Sequence, residues 1–468
     1  MKQADFISSL SAIVGSAAVL TGESAAPYCT DWRNRYSGNA LAVVLPADTQ
    51  QTAEVVELCS AQRIAIVPQG GNTSLCGGSV PLPQGEQIVL NLSRMNHIRA
   101  LDATNYTMIV EAGCKLADVR ETAEKNNRLF PLGLTATQKY CEIGGNLSTN
   151  AGGINVLRYG NTRDLVLGLE VVLPDGRIWN GLRSLRKDNS GYDLKHLFIG
   201  AEGTLGIITA AVLKLFPRPQ STATACVAIA DADVAVRLLA HVRANCGDVL
   251  SSFEIISRSC LDLVFTHIPE TSDPFSKKYE YYLLIQLSDV MPGLLDEALR
   301  AALQSFGAGV LEQSVTSDAD IAEKWWKLRK SISEAQKREG ISIKHDVSVP
   351  VSRVAEFIAH ADTSLRNTYP GIRIVTFGHM GDGNVHYNVS MPDAGLNKTF
   401  ITQQEGAVNK LVYAVVRDLN GSISAEHGLG QLKRDTIRDY KDPLELELMR
   451  NIKQTLDPQG LMNPGKVL

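Results

Sequence analysis

The stretch Val67-Pro68-Gln69-Gly70-Gly71-Asn72-Thr73-Ser74-Leu75-Cys76-Gly77-Gly78 follows a short apolar run, Ile64-Ala65-Ile66. An apolar strand that ends at a proline and enters a loop with four glycines can turn successive backbone N–H groups toward one point, because glycine tolerates positive φ. Such a concavity binds anions, typically phosphate. Glycine pairs also mark ordinary turns. By itself, the stretch is therefore compatible with an anion site and with a plain turn.

Two further glycine-rich segments follow in the chain. The first is Gly144-Gly145-Asn146-Leu147-Ser148-Thr149-Asn150-Ala151-Gly152-Gly153, and the second is Gly200-Ala201-Glu202-Gly203-Thr204-Leu205-Gly206. Small side chains over a long run let backbone approach a flat ligand closely. Three such segments separated by apolar strands predict one extended ligand.

Composition limits the classes of protein to consider. The chain has 468 residues, 44% hydrophobic and 21% charged, with a net charge of −4, so we expect two or three folding units and no nucleic-acid partner. The eight cysteines form no C-x-x-C pair, which favours reduced thiols and a cytoplasmic location. The apolar segment 6–20 resembles a signal-peptide core, but its helical spacing favours an amphipathic helix. We expect no membrane span.

Domain boundaries follow from the pattern of elements. Strands and helices alternate up to Pro217-Arg218-Pro219, where the composition shifts. Beyond this point, runs such as 223–230, 281–287 and 372–377 read as strands of an α+β domain with an antiparallel sheet. We expect an N-terminal domain over 1–217, a second domain over 218–435 and a C-terminal segment over 436–468.

A histidine pair marks a candidate metal site in the second domain. Residues 377–388 read as a hairpin that turns through 381–384, so His379 would oppose His386, with Asn388 on the same face. Glu426 and His427, flanked by small residues, offer a carboxylate and another imidazole. Histidine pairs on strands are often incidental, and this alternative stays open at the level of the pattern.

A candidate anion site precedes the hairpin. The segment 323–337 reads as a helix on which Arg329 and Ser333 are four residues apart, hence on one face. A strand over 341–347 follows and carries Lys344. These three side chains can converge on one anion, although a lone cation on a helix is more often solvated surface.

The three glycine-rich segments and Arg158-Tyr159-Gly160, in this order, resemble the FAD-binding domain of the vanillyl-alcohol-oxidase-type flavoproteins. The resemblance implies a two-part FAD-binding domain plus an α+β substrate domain, with a C-terminal segment that returns to the FAD domain. It implies FAD, held non-covalently, since Asn72 stands where some relatives carry a flavin-linked histidine. The FAD contacts it implies are Pro68, Gln69, Gly70, Gly71, Asn72, Thr73, Ser74, Gly144, Gly145, Asn146, Thr149, Asn150, Gly152, Glu202, Gly206, Ile207 and Asn463.

Two other nucleotide motifs are excluded. No G-x-G-x-x-G follows a strand, so a Rossmann site is unsupported. The spacing of Gly460 to Lys466 resembles a P-loop, but Val467 replaces the required Ser or Thr.

Within this superfamily the chain resembles the FAD-dependent D-2-hydroxy-acid dehydrogenases. That resemblance implies that His379, His386 and Glu426 are metal ligands and that His427 is the general base. Two histidines and a carboxylate suit zinc and would also accept manganese or cobalt. The implied reaction is loss of the hydroxyl proton to His427 and hydride transfer from C2 to flavin N5.

The resemblance extends to the D-2-hydroxyglutarate dehydrogenases. Arg329, Ser333 and Lys344 match the residues that hold the distal carboxylate in that group. The middle residue of the three is usually threonine there, whereas this chain has Ser333. Asn388 is a further expected substrate contact. The expected reaction is oxidation of D-2-hydroxyglutarate to 2-oxoglutarate. The alternatives are a D-lactate or broader D-2-hydroxy-acid dehydrogenase, and a flavin-binding subunit that only carries electrons. We expect a homodimer and, as acceptor, an electron-transfer flavoprotein or a quinone-linked route.

Overall fold

The computed structural model describes residues 3–134 and 137–468. Its α-helices are α1 Gln3–Val14, α2 Thr49–Gln62, α3 Leu116–Lys125, α4 Ile143–Ser148, α5 Val156–Tyr159, α6 Lys195–Phe198, α7 Ala232–Cys246, α8 Arg258–His267, α9 Leu295–Phe306, α10 Ala319–Glu339, α11 Val354–Thr368, α12 Ala394–Asp418 and α13 Pro443–Leu456. Short 3₁₀ helices lie at Ser16–Ala18, Gly22–Ser24, Ala26–Tyr28, Thr162–Leu165, Gly247–Val249, Val351–Arg353 and Thr436–Asp439.

The strands fall into two groups on either side of Pro217. The first group is β1 Val19–Leu20, β2 Ala42–Val44, β3 Ala65–Gln69, β4 Gln87–Asn91, β5 Ile98–Asp102, β6 Thr107–Glu111, β7 Arg128–Leu129, β8 Val166–Val172, β9 Ile178–Gly181, β10 Ile207–Lys214 and β11 Phe216–Pro217. The second group is β12 Ser221–Ile229, β13 Leu250–Ser257, β14 Tyr281–Asp289, β15 Val310–Thr316, β16 Ile343–Ser348, β17 Arg373–His379 and β18 Asn384–Ser390.

The first group builds a lobe with two main sheets. One has the order β1-β2-β4-β3, in which β2, β4 and β3 run parallel. The other has the order β5-β6-β10-β8-β9 and is antiparallel. Ala112, Val172 and Ile207 from the second sheet pack into the core of the first. Because β3 runs directly into the first glycine-rich loop, this packing places that loop beside the second sheet.

The N-terminal helix confirms the amphipathic pattern but is shorter than expected. Phe6, Leu10 and Val14 are buried on one face of α1, and they join the core of the first sheet. The helix stops before Gly15, whose φ of 84° is outside the helical region. No helix among the described residues is both long and apolar enough to cross a membrane.

The second group forms one antiparallel sheet with the order β15-β12-β14-β13-β17-β18-β16. Helices α7, α9, α11 and α12 cover one face, and α8 and α10 cover part of the other. The expected α+β class with an antiparallel sheet is confirmed. The face under α10 carries the polar side chains of the candidate site.

The helix expected over 323–337 lies within α10. The carboxylate of Asp318 accepts hydrogen bonds from the backbone N–H groups of Asp320 and Ile321 and so begins the helix earlier. Trp325 and Ile332 are buried as the helical spacing predicts. This burial fixes the face that Arg329 and Ser333 present to the sheet.

The chain returns to the first lobe at its C-terminal end. Ile66 of β3 donates its backbone N–H to the carbonyl of Leu461 at 2.8 Å, and Asn463 donates its own to the carbonyl of Ile66 at 2.8 Å. The Met462 side chain between them is fully buried in the core of the first sheet. The segment therefore extends the first sheet at the edge strand that leads into the glycine loop.

Candidate active site

A cavity of about 500 Å³ lies between the two lobes. It is lined by all three glycine-rich segments, by Arg329, Ser333 and Lys344, and by the histidine hairpin with Glu426 and His427. The predicted residues that line it are Pro68, Gln69, Gly70, Gly71, Asn72, Thr73, Ser74, Gly144, Gly145, Asn146, Thr149, Gly152, Glu202, Gly206, Ile207, Arg329, Ser333, Lys344, His379, His386, Asn388, Glu426 and His427. The structure thus brings the two sequence-predicted sites into one space.

The predicted residues Asn150 and Asn463 lie outside this lining. The Asn150 side-chain oxygen accepts the backbone N–H of Arg163 at 2.9 Å. The Asn463 amide donates to the carbonyl oxygens of Gly78 at 2.9 Å and Glu202 at 2.7 Å. Both amides therefore fasten the loops that border the cavity.

The first loop uses glycine for close approach as well as for turning. A Cβ on Gly71 would lie 2.0 Å from the carbonyl oxygen of Tyr140, so only glycine fits there. The left-handed residue beside it is Asn72, with φ 51°, and its side chain bonds to the carbonyl of Thr30 and the hydroxyl of Ser79. The loop thus has positive φ both at a glycine, Gly77 with φ 68°, and at an asparagine, which tolerates it.

The second segment begins as the short helix α4, where the sequence pattern predicted a loop. Gly145 faces open space, with no atom within 4 Å of a Cβ built on it. At the other end of the segment, a Cβ on Gly152 would lie 2.9 Å from Oε1 of Glu426. The predicted FAD segment therefore touches the predicted metal ligand directly.

Glu202 of the third segment holds the loop that follows His427. Its carboxylate oxygens accept the backbone N–H groups of Leu429 at 2.7 Å and Gly430 at 2.9 Å. The first lobe thereby positions the Glu426–His427 loop of the second.

The hairpin has a different register from the one expected. His379 pairs with Asn384, and His386 pairs with Phe377; the turn therefore comprises residues 380–383, with Gly383 at φ 84°. The expected pairing of His379 with His386 is wrong by two residues. Because side chains alternate with a period of two, both imidazoles remain on one face, with ring centroids 5.6 Å apart.

The two imidazoles and Glu426 form a compact donor set. Nε2 of His379 lies 3.5 Å from Oε1 of Glu426, and Nε2 of His386 lies 3.9 Å from Oε2. One donor atom from each residue lies within 4.8 Å of the others. Two imidazoles and a carboxylate with open positions match divalent zinc chemistry.

A carboxylate supports the far nitrogen of each imidazole. Nδ1 of His379 lies 2.7 Å from Oε1 of Glu254, and Nδ1 of His386 lies 3.6 Å from Oδ1 of Asp346. This arrangement, with Nδ1 facing a carboxylate and Nε2 facing the donor set, is typical of histidines that ligate metals. The observed geometry therefore fits a divalent cation.

Sequence reasoning missed Glu254 and Asp346. Both are almost fully buried, at 1% and 3% exposure. Each is the one acid of its strand, since Glu254 is the one charged residue of β13 and Asp346 follows Lys344 and His345 in β16, and a buried acid needs a partner. That isolation, together with the position of Asp346 two residues after Lys344 and hence on the same face, is a signal the sequence does carry.

The charges around the donor set favour a cation. Burial raises the pKa of Glu426 to about 7, although His379 opposes the shift, and the nearby Asp346 and Asp382 raise it further. Burial also raises the pKa of Asp382 to about 6. Burial would lower the pKa of His379, but Glu254 and Glu426 raise it to about 9. Buried carboxylates crowded around two imidazoles are stabilised by added positive charge.

His427 is oriented by the same Asp346. Its Nδ1 lies 3.3 Å from Oδ2 of Asp346, and the same oxygen accepts the backbone N–H groups of Glu426 and His427, each at 2.9 Å. Burial lowers the pKa of His427, and Asp346 opposes the shift. With Nδ1 directed at Asp346, Nε2 is the nitrogen left to accept a proton.

Arg329 is engaged within the protein. Its Nε donates to Oε2 of Glu254 at 2.7 Å, and its guanidinium lies over the ring of Phe377. Only the remaining N–H groups can reach a ligand. The structure therefore links Arg329 to His379 through Glu254, a connection that the sequence pattern did not predict.

Lys344 lines the cavity without a carboxylate partner among the described residues. No carboxylate of the described residues lies within ion-pair distance of its ammonium, and burial, with Arg33 nearby, lowers its pKa to about 7. Lys344 pairs across the sheet with Asn388, whose amide donates to Gln336 at 2.8 Å. A bound anion would supply the missing counter-charge.

Glu142 presents an unpaired carboxyl between two glycine-rich segments. Its Oε2 is buried with no hydrogen-bond partner and lies 3.3 Å from a Cβ built on Gly70. Burial raises the pKa of Glu142 to about 8, and only Lys115 opposes the shift. At neutral pH this group is a neutral acid that can donate a hydrogen bond.

We predict that FAD affinity falls above about pH 8 because Glu142 then ionises and repels a phosphate group. Between about pH 4.5 and 8, Glu142 is protonated in the folded protein and ionised in the unfolded chain. The unfolded chain therefore binds fewer protons than the folded one, and the free energy of unfolding of the FAD-free protein falls as the pH rises through this range. Glu142→Gln should remove both effects. Flavin-fluorescence titrations and thermal unfolding at pH 6 and 9 measure them, with exposed Glu121→Gln as control. Equal pH dependence in Glu142→Gln and wild type would contradict the prediction.

Comparison with known proteins identifies related chains. Residues 218–467 match the family model "FAD linked oxidases, C-terminal domain", and residues 40–181 match "FAD binding domain". The chain is 38% identical to "D-2-hydroxyglutarate dehydrogenase, mitochondrial" of Arabidopsis thaliana, over 94% of this chain and 77% of that protein. It is also 38% identical to "D-2-hydroxyglutarate dehydrogenase" of Xanthomonas citri pv. viticola, over 94% of this chain and 92% of that protein.

A solved structure shows the same fold. The structure of p-cresol methylhydroxylase with substrate bound superposes with a TM-score of 0.78 at 18% identity, covering 99% of this chain and 96% of that chain. At this identity the likeness concerns the fold alone.

Proposed function

Because the chain belongs to the FAD-dependent D-2-hydroxyglutarate dehydrogenases, a group of vanillyl-alcohol-oxidase-type flavoproteins, we propose that it oxidises D-2-hydroxyglutarate to 2-oxoglutarate with the help of a divalent metal ion. It is an FAD-dependent oxidoreductase acting on a CH–OH group. The observation that carries the metal and substrate assignments is the cavity itself. It has a metal-type donor set and the unpaired Lys344 facing the same space as the glycine-rich segments.

FAD would be held by the three glycine-rich segments. The open space at Gly145 and the unpaired acid of Glu142 fit a polar cofactor laid along them. Non-covalent binding is supported by Asn72 and by the lining of the first lobe, in which the described residues include no histidine.

The metal would be held by His379, His386 and Glu426, and zinc is the ion we propose, with manganese and cobalt as substitutes. The support is the donor spacing and the carboxylates behind both imidazoles. When bound, the ion would supply a Lewis acid for the 2-hydroxyl group, and FAD would supply the hydride acceptor at N5.

His427 would remove the hydroxyl proton. Asp346 orients its ring and stabilises the imidazolium that forms. Replacing His427 by alanine would therefore slow the oxidation of every hydroxy-acid substrate.

The distal carboxylate would bind at Arg329, Ser333 and Lys344, which all line the same cavity. An unpaired, partly buried cation such as Lys344 is stabilised by a bound anion. A dicarboxylate supplies that anion and D-lactate does not, which favours D-2-hydroxyglutarate over the D-lactate alternative.

We also propose an electron-transfer flavoprotein or quinone-linked acceptor, a homodimer and a cytoplasmic location. The first two proposals are supported by the family resemblance, and the location by eight cysteines that are all free thiols.

The test is anaerobic bleaching of the visible flavin band with D-2-hydroxyglutarate, L-2-hydroxyglutarate and D-lactate, each with and without a chelator. We expect fast, chelator-sensitive bleaching by D-2-hydroxyglutarate alone. Equal bleaching by D-lactate would overturn the substrate assignment. Failure of every hydroxy acid to bleach a metal-loaded, FAD-loaded protein would leave only the electron-carrier alternative.

A further inference from the structure

Residues 31–36 of the first lobe form a loop that reaches the cavity. Trp32 and Arg33 line the cavity together with Ser333, Lys344 and His427. Sequence reasoning assigned no role to this loop. The loop therefore places Arg33 in the same cavity as the unpaired Lys344.

The loop is held in place by its own buried acid. Asp31 is 3% exposed, and its carboxylate accepts the backbone N–H groups of Arg33 at 3.1 Å, Arg35 at 2.6 Å and Tyr36 at 2.6 Å. These bonds fix the backbone from which Arg33 projects. Arg33 is exposed to solvent on this loop and also lines the cavity.

Contacts with both lobes anchor the loop. The Trp32 ring packs against Tyr140 of the first lobe, with centroids 5.1 Å apart. Arg35 donates to Glu405 of α12 in the second lobe at 2.9 Å. The neighbouring Arg35 therefore has a carboxylate partner, whereas Arg33 has none within ion-pair distance among the described residues.

The cations that line the cavity differ in whether they have a partner. Arg329 is paired with Glu254 and Lys330 with Glu323. Arg33, Lys344 and Lys337 line the same cavity, and no carboxylate of the described residues lies within ion-pair distance of them. A ligand that carries a second anion besides its hydroxy acid would supply a partner for these cations.

We propose that Arg33 is a specificity-determining residue that, with Lys344, binds the distal carboxylate of the substrate. This inference rests on the proposed function and adds a residue from the FAD lobe to it. Two lines of observation support it. The charge of Arg329 is paired with Glu254, whereas Arg33 and Lys344 have no carboxylate partner within ion-pair distance among the described residues. Arg33 also contributes to the lowered pKa of Lys344, after burial, so the two charges lie close enough to interact.

A guanidinium can offer two parallel N–H donors to a carboxylate, which an ammonium cannot. The distal subsite would then be complete only when both lobes contribute. Dicarboxylate binding would depend on the loop, whereas a substrate without a second carboxylate would not.

The test compares Arg33→Gln and Arg33→Lys with Arg243→Gln. Arg243 is exposed on α7, away from the cavity, so its replacement changes the net charge equally. Binding of 2-oxoglutarate to the oxidised holoenzyme is followed through the flavin spectrum, and kcat/KM is measured for D-2-hydroxyglutarate and D-lactate. The binding assay needs no turnover.

For Arg33→Gln we expect about 10- to 100-fold weaker 2-oxoglutarate binding and a similar loss of kcat/KM for D-2-hydroxyglutarate, with D-lactate turnover changed less than about threefold. Arg33→Lys should recover part of the loss. Wild-type-like binding in Arg33→Gln, or equal losses on both substrates, would overturn the role of Arg33. If the wild-type holoenzyme is not reduced by D-2-hydroxyglutarate, the proposed function fails instead.

Discussion

Replacing Glu426 with glutamine is expected to lower kcat for D-2-hydroxyglutarate by about a thousandfold or more, corresponding to about 4 kcal/mol. Glu426 is the one carboxylate of the donor set with His379 and His386, and glutamine keeps its size while removing its charge. The variant should also lose stoichiometric metal because metal affinity depends on a deprotonated ligand.

The measurement is stopped-flow flavin reduction together with elemental analysis of the purified holoenzyme. Glu334→Gln is the matched control, since Glu334 also lines the cavity but is bound to Arg338. It should retain metal and turnover. A Glu426→Gln protein with FAD bound, one metal ion per chain and turnover within tenfold of wild type would show that Glu426 is not a ligand that catalysis requires.

Replacing Lys344 with methionine is expected to lower kcat/KM for D-2-hydroxyglutarate. The expected loss of transition-state stabilisation is about 1.5–3 kcal/mol, the usual contribution of a charge-assisted hydrogen bond. Turnover of D-lactate should change little, because it has no second carboxylate. Lys337→Met is the matched control, as Lys337 lines the same cavity from an exposed position on α10. Equal losses on both substrates would remove the distal-carboxylate role.

The preference for D-2-hydroxyglutarate over D-lactate should also depend on pH through Lys344. Burial, with Arg33 beside it, lowers the pKa of Lys344 to about 7, so the free enzyme loses this positive charge as the pH rises above about 7. The ratio of kcat/KM for D-2-hydroxyglutarate to that for D-lactate should therefore fall with rising pH. His427 acts on both substrates and cancels in the ratio. In Lys344→Met the ratio should be flat.

The sequence by itself determined the local structure and the kinds of side chain available. Periodicity placed Arg329 and Ser333 on one face of α10 and the two hairpin histidines on one face of β17 and β18. The latter held even though the predicted register was wrong by two residues, because a shift of two preserves the face of every side chain. The glycine-rich segments and the antiparallel sheet were equally readable.

Only the tertiary structure decided which of these side chains are free to act. Glu254 pairs with His379 and Arg329 across 125 and 75 residues of chain, and Asp346 holds Glu426 across 80. Periodicity describes neighbours within one helix or strand and carries no information about such distant partners. Charge pairing is decided by proximity in space, so Arg329 is paired with Glu254 behind His379, while Arg33, on a loop without a regular pattern, lines the same cavity as Lys344.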